Sequence, residues 1–374
     1  MNYRAILDGS RCGLGTSLLR FLLRLGSIPY RLAVEVRNFA YDAGWLTIST
    51  AEVPVISVGN ITAGGTGKTP VVALLARYLR RHDLRVALIS RGYHSDQTGS
   101  NDEARELSFS LPDVPHLQNP DRVAAAQVAI DELEMQILVL DDAFQHRRIA
   151  RNLDLVLIDA TCPFGYGRLL PAGLLREPLG GLRRADLILI TRANRVDRTA
   201  LETIHATLAR HAPQVPVISS NHVPIGWIDD RQQHFDLASM RGKKVAAFAG
   251  IGNPVPFFES LRDLGVELVA SRALPDHAPY DRPTVEELIA WLEQLRREHG
   301  PLVAVCTHKD LVKLRTTHLG SIPLRALLIE IELAPDQAPL FWKAIDRVLE
   351  PIDRSSPSAA PPHVEPFAAG QGTH

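Results

Sequence analysis

Gly64-Gly65-Thr66-Gly67-Lys68-Thr69 stands between an apolar run, Val53-Pro54-Val55-Ile56-Ser57-Val58, and a helix-like run from Val71 to Arg80. Strand, glycine loop and helix in that order form the setting a phosphate-binding loop requires. Glycines let the backbone curl so that successive N–H groups point at phosphate oxygens. The helix that follows adds the positive end of its dipole. In such a loop Lys68 reaches the outer phosphates of a nucleoside triphosphate and the Thr69 hydroxyl ligates Mg²⁺. The strict G-x-x-x-x-G-K-[ST] pattern asks for glycine at position 62, where this chain has Thr62.

Bulk properties narrow the remaining possibilities. A chain of 374 residues, 45% of them hydrophobic, is long enough for two domains with real cores. Lys and Arg total 41 against 42 Asp and Glu, a formal net charge of −1, so no overall field favours nucleic acid as a partner. Cys12, Cys162 and Cys306 are far apart and form no C-x-x-C, which suggests neither a zinc site nor a disulfide framework and fits a reducing setting. No uncharged apolar run approaches the ~18 residues of a membrane-spanning helix, and Arg20 and Arg24 interrupt the N-terminal apolar section, unlike a signal peptide. That section, Leu18, Leu19, Phe21, Leu22, Leu23 and Leu25 around the two arginines, reads as a short basic amphipathic helix. Such a helix either lies in a membrane interface or packs on the domain.

Apolar runs rich in Val, Ile and Leu recur at 53–58, 85–90, 137–141, 153–159, 186–191, 215–219, 244–249, 266–270, 302–306 and 325–332. They mostly lack alternation, as expected of parallel strands covered on both faces. Helical patterns fall between them at 70–81, 121–134, 199–211, 254–264, 284–299 and 336–349. The expected class is α/β, a mostly parallel phosphate-loop sheet flanked by helices, with a second, smaller α/β domain. The chain turns polar near 221–243, which places the boundary between a domain over 1–222 and one over 223–352. Residues 1–36 are the amphipathic segment of the first, leaving 37–222 as its body. Residues 353–374, rich in Pro, Ser, Ala and Gly, are expected to be a disordered tail.

Ile137-Leu138-Val139-Leu140-Asp141-Asp142 is an apolar strand ending in two acids, the place where phosphate-loop proteins carry a carboxylate for Mg²⁺. Ser90-Arg91-Gly92-Tyr93 and the loop Leu170-Pro171-Ala172-Gly173-Leu174-Leu175-Arg176-Glu177-Pro178 follow other strands toward the same sheet edge, where active-site loops gather. Asp102 and His277 are candidate acid–base groups for a hydroxyl acceptor, although spacing alone does not bring them together. Thr307-His308-Lys309-Asp310 does not have the N-K-x-D order that reads guanine, and Thr191-Arg192-Ala193-Asn194 only approaches it, so no guanine preference is expected.

In this order the motifs resemble the tetraacyldisaccharide 4′-kinase, or lipid A 4′-kinase, family. Val55 to Ile61, Gly64 to Pro70, Ser90 to Tyr93, Asp141-Asp142 with Phe144-Gln145-His146, Leu170 to Pro178, Pro275-Asp276-His277 and Thr307-x-Lys309-Asp310-Leu311 carry the likeness, over roughly 30–335. Thr62 belongs to that family's own pattern. The resemblance implies transfer of the ATP γ-phosphate to the 4′-hydroxyl of a tetraacylated glucosamine disaccharide 1-phosphate, on the cytoplasmic face of the inner membrane. It also implies that residues 1–36 dock there, with no obligate protein partner. It assigns ATP to Thr62, Ala63, Gly64, Gly65, Thr66, Gly67, Lys68, Thr69 and Tyr93, and Mg²⁺ to Thr69, Asp141 and Asp142. It gives catalytic roles to Lys68, Asp142 and the pair Asp102–His277, and makes Arg122, Arg176 and Glu177 further contacts. The chain departs from the family at Asn101 and Ala104, where Gly-Asp-Glu-Pro is common, and at Ala143, where glycine is common. Two rivals remain from the residues alone. A partitioning-type ATPase would carry lysine at Ala63, and a nucleotide-dependent adaptor would phosphorylate nothing.

Overall fold

The computed structural model describes residues 6–7, 13–92, 102–276 and 278–355. Its first long element is helix α1 (Leu14–Asp42). Then follow β1 (Val55–Asn60), α2 (Lys68–Arg81), β2 (Val86–Ser90), α3 (Asp102–Ser110), β3 (His116–Gln118), α4 (Arg122–Asp131), β4 (Ile137–Asp141), β5 (Leu153–Asp159), β6 (Leu187–Thr191) and α5 (Arg198–His211). The second half contains β7 (Val217–Ile228), β8 (His234–Phe235), β9 (Lys244–Ala249), α6 (Val255–Asp263), β10 (Glu267–Ala273), α7 (Arg282–His299), β11 (Val303–Thr307), α8 (His308–Leu314), β12 (His318–Leu319), β13 (Ile322–Leu333) and α9 (Ala338–Ser355).

Among the described residues one 13-stranded sheet runs in the order β10-β9-β11-β13-β7-β6-β5-β1-β4-β2-β3, with β8 and β12 as short antiparallel additions. Its central strands are buried along their whole length, which is why their sequences lack alternation. Helix α2 shows how the faces are covered. Val71, Val72, Leu75, Ala76 and Leu79 are buried at helical spacing, and each large side chain contributes about 2 kcal/mol by leaving water. Their core also takes in α9, through Phe341, Ile345 and Val348, so the last helix packs back on the first half.

The β7–β13 pair decides how the halves face each other. Val217, Ile218 and Ser219 pair in parallel with β6, and the strand then continues past the end of that neighbour. Ser220 to Ile228 pair antiparallel with β13, which in turn runs parallel to β11 only over Leu324–Leu327. Each long strand thus belongs to one half at its start and crosses to the other as a bare two-stranded ribbon. Because the ribbon is antiparallel, the strands of the second half point back toward the first. The carboxyl ends of both sets face one another across a gap of about 20 Å, given ~3.3 Å per strand residue.

Residue 222, the expected end of the first domain, therefore lies inside β7, and the polar stretch 229–233 that follows is the turn into β8. The helix expected near residues 18–25 extends from Leu14 to Asp42, and Asp102–Ser110, outside every expected helix, is helical. Helix α9 reaches Ser355, so the expected tail begins as helix, and residues 356–374 lie outside the described ones.

Candidate active site

The glycine loop lies at the carboxyl end of β1 and opens α2. Gly67 caps that helix with φ 82° and ψ 28°, a left-handed conformation that L side chains rarely adopt. A Cβ there would also meet the His222 ring at 2.7 Å. Thr62 shows why glycine is not needed two residues before Gly64. It is buried in an extended bridge with Leu175, while Ala63 N–H donates to the Leu174 carbonyl (2.7 Å) and Arg176 N–H to that of Ile61 (2.8 Å). The loop containing Arg176 and Glu177 is thereby fixed to the entry of the glycine loop.

Further braces come from β1 and β6. Asn60 Nδ2 donates to Thr66 Oγ1 (3.0 Å), Thr191 Oγ1 to the Thr66 carbonyl (2.9 Å), and Arg192 Nη1 to the Gly65 carbonyl (3.1 Å) and to Asp159. Thr191-Arg192, the near miss to a guanine motif, thus holds the loop's outer side. Its position at the end of an apolar strand was the signal that could have revealed it. Half-buried His222, on the ribbon above Gly67, gave no such signal.

Lys68 is only 7% exposed and its ammonium stands 3.5 Å from Asp142 Oδ1. Arg176 Nη1 lies 2.7 Å from the same oxygen, and Arg122 Nη2 donates to the Asp142 carbonyl (3.0 Å). Burial alone would push the Asp142 carboxyl up, but Lys68, Arg176 and Arg122 outweigh it and hold the group at about 2. Asp141, the last residue of β4, is the opposite case. It is 2% exposed, its Oδ1 has no hydrogen-bond partner among the described residues, and burial together with Glu103 pushes it up to about 7. Two adjacent acids thus have their proton affinities driven apart, as functional sites require. The backbone turns at Asp142 (φ 51°), so Ala143, where glycine was expected, carries no strain.

A cavity of about 610 Å³ lies between the facing sheet edges. The glycine loop, Thr69, Asp142 and Arg176 line one side, and Asp276, Thr307, His308 and Lys309 the other. Helix α3, which leaves the first half after β2, spans the gap. Asp102, at its start, lies 3.0 Å from Lys313 Nζ and 4.0 Å from Lys309 Nζ, while Glu106 is 3.4 Å from His308 Nδ1. Tyr93 and His277 lie outside the described residues. Of the further contacts, Arg176 faces the cavity, whereas Arg122 is buried, bonded to the Asp142 carbonyl, with Nε and Nη1 lacking a hydrogen-bond partner among the described residues. Glu177 is fully buried, bonded to Gln145 Nε2 (2.9 Å), Arg184 Nη2 (2.7 Å) and Asn38 Nδ2 (3.3 Å), so its carboxylate is enclosed by those neighbours and does not line the cavity.

The cradle fits a triphosphate: a helix-capping glycine loop, a buried lysine and a second cation, Arg176, beside it. The hydroxyl of Thr69 and the orphaned Asp141 oxygen are hard oxygen donors of the kind magnesium takes, one or two from protein and the rest from phosphate and water. Such an ion needs no cage of three or more protein ligands, and the described residues form none.

Fold and site together define a phosphate-loop nucleotide-binding protein with its loop facing a second α/β unit. A family model described as tetraacyldisaccharide-1-P 4′-kinase matches residues 19–350. The tetraacyldisaccharide 4′-kinase of Geobacter metallireducens is 39% identical over 352 residues, covering 89% of this chain and 99% of that protein. That of Pelobacter propionicus is 38% identical over 360 residues, 90% and 95% of the two chains. A crystal structure of LpxK from Aquifex aeolicus in complex with ATP superposes with a TM-score of 0.68 at 29% identity, covering 88% of this chain and 99% of that one. The chain belongs to the tetraacyldisaccharide 4′-kinase family.

Proposed function

We propose that the protein transfers the γ-phosphate of ATP to the 4′-hydroxyl of a tetraacylated glucosamine disaccharide 1-phosphate, giving lipid IVA in lipid A biosynthesis. The observation that carries this reading is the braced glycine loop with Lys68, Asp142 and Arg176 in one cluster, in a chain of this family. Loop amides and Lys68 would hold the triphosphate, and Thr69 with Asp141 and Asp142 would hold Mg²⁺. The ion, when bound, neutralises phosphate charge and orients the transferred group. Arg176 would supply a second cation to the equatorial oxygens. The 4′-oxygen bonds to the γ-phosphorus as the bond to the β–γ bridging oxygen breaks, and ADP leaves. Asp102, tuned by His277, would accept the hydroxyl proton, and Lys309 and Lys313 would hold that carboxylate beside α8. The remaining barrier is met mainly by positioning.

The direct test incubates the purified protein with Mg-ATP and the acylated disaccharide and identifies a product bearing a new 4′-phosphate. ATP hydrolysis without lipid phosphorylation would favour an ATPase or adaptor instead. Asp102→Ala is expected to lower kcat about 10²-fold while moving the KM for ATP little, because a general base acts only in the transition state. An unchanged kcat would remove Asp102 from the mechanism.

The same reading places the protein peripherally on the cytoplasmic face of the inner membrane. No described helix is long and apolar enough to cross a bilayer. Helix α1 instead exposes Leu14, Leu18, Phe21, Leu25, Ile28, Leu32, Val36 and Phe39, spaced three or four apart on one face, with Leu22 beside them, and Trp45, Leu46 and Ile48 extend the apolar surface. Exposed Arg24, Arg31 and Arg37 flank the stripe, suited to anionic headgroups. Leu22 lies exposed beside the stripe and Leu23 is half-buried, so the informative pair is Leu22→Ser with Leu25→Ser. Each buried CH₂ contributes about 0.8 kcal/mol, so sedimentation with anionic vesicles should fall more than about tenfold. Undiminished sedimentation would dismiss docking through this face.

A further inference from the structure

The face of α1 opposite the apolar stripe makes a different set of contacts. Tyr30 Oη donates to the Arg176 carbonyl (2.8 Å), and Asn38 Nδ2 to Glu177 Oε2 (3.3 Å). Ser27 Oγ lies 3.1 Å from the Leu169 carbonyl and accepts from Ala172 N–H (3.2 Å). Arg147, in the loop after the two acids, donates to the Asn38 carbonyl (3.0 Å) and to Asp42 Oδ1 (2.6 Å). These bonds are long-range, joining residues more than 100 apart in sequence; those of Ser27, Tyr30 and the Asn38 side chain converge on the loop containing Arg176 and Glu177, and those of Arg147 tie α1 to the loop after the two acids.

From that loop two short paths lead to the nucleotide cradle. Arg176 reaches Asp142 (2.7 Å), and Asp142 faces Lys68 (3.5 Å). Glu177 holds Gln145 (2.9 Å), whose amide also donates to the carbonyl of Asn60 (2.9 Å), the last residue of β1. A helix that served only as an anchor would need its apolar face. It would have no need to bond the carbonyl of Arg176, whose guanidinium pairs with the Asp142 carboxylate at 2.7 Å.

We propose that Tyr30 and Asn38 are positioning residues for phosphoryl transfer: through them α1 fixes the segment that aims Arg176 at Asp142 and Lys68. The inference rests on the kinase reading above and deepens it. Neither residue touches a nucleotide. Each removes freedom from a cation or carboxylate that must already be in place when charge moves onto the transferred phosphate. The helix that meets the lipid surface and the arginine that meets the phosphate thus form one mechanical unit.

The test uses the full-length protein, with kcat and KM measured in mixed micelles and binding measured with anionic vesicles. Tyr30→Phe removes one oxygen and Asn38→Ala one amide, and a thermal melt of each variant reports its folded fraction. The double variant is expected to lose about tenfold in kcat per folded molecule, with KM for ATP and for lipid within about threefold of wild type and vesicle binding unchanged. Tyr30→Phe alone is expected to show a smaller loss of the same kind. A double variant with wild-type kcat would overturn the proposal. So would a loss confined to the KM for lipid, which marks an anchor only, or a loss that vanishes once the folded fraction is counted. Wild-type protein that fails to phosphorylate the lipid in the same assay would instead remove the kinase reading, and this inference with it.

Discussion

Lys68→Ala is expected to reduce kcat/KM for ATP by about 10³-fold, the scale on which a single preorganised charge or donor acts in a site that excludes water. The side chain is only 7% exposed, sits in the first turn of α2 and brings its ammonium to 3.5 Å from Asp142. In that setting it is weakly screened, and its attraction for phosphate oxygens is several times what water would allow. The substitution should spare the fold, because Asp142 retains Arg176 at 2.7 Å and is not left as an unpaired buried charge. Lys68→Arg should restore little, since a planar guanidinium does not place the compact point charge of an ammonium. Steady-state rates and calorimetry with Mg-ATP check both statements. A Lys68→Ala protein retaining a tenth of wild-type kcat/KM would mean that the loop is not where the triphosphate is held.

Elements whose physics is local were readable in the chain. The fully buried strands carry continuous Val, Ile and Leu runs, so β4 and β5 fall on the expected residues, and the glycine loop is marked by backbone demands that only particular residues meet. Elements whose reason lies elsewhere in the molecule were not. Asn221 to Gly226 fell inside the stretch read as a boundary because a half-buried ribbon has no continuous core-facing pattern, and only β13, about 100 residues later, makes it a strand. Helix α3 is short and charged, and Lys309, Lys313 and His308 on the opposite half are its partners. The carboxylate of Glu177 looks like an active-site acid in the sequence because nothing local announces that Gln145, Arg184 and Asn38 enclose it. The motif located the site, while the antiparallel ribbon, invisible to local pattern, set what faces it.

Asp141→Asn is expected to remove nearly all turnover, about 10²–10³-fold in kcat, while making the metal-free protein more stable. The carboxyl is held at about 7, well above the usual carboxylate value of 3.8, first by burial and then by Glu103. For a group raised on folding, the stabilising share is complete below the unfolded value and is lost as pH climbs through the folded one. Wild type therefore loses stability between about pH 4 and pH 7, and the asparagine variant, which has no charge to bury, does not. In EDTA at pH 8 the variant should melt a few degrees higher, and at pH 4 the gap should close. Adding Mg²⁺ with ATP should reverse the order, raising the wild-type melting temperature and leaving the variant nearly unmoved, because a ligand stabilises only the state that binds it. A carboxylate kept for packing would give the contrary pattern: lower stability in EDTA, and a Mg²⁺ response equal to that of wild type. An acid at the end of β4 whose Oδ1 has no hydrogen-bond partner among the described residues, beside a lysine and an arginine already paired with Asp142, costs stability in the empty protein, and a cation held when the cleft is filled accounts for that cost.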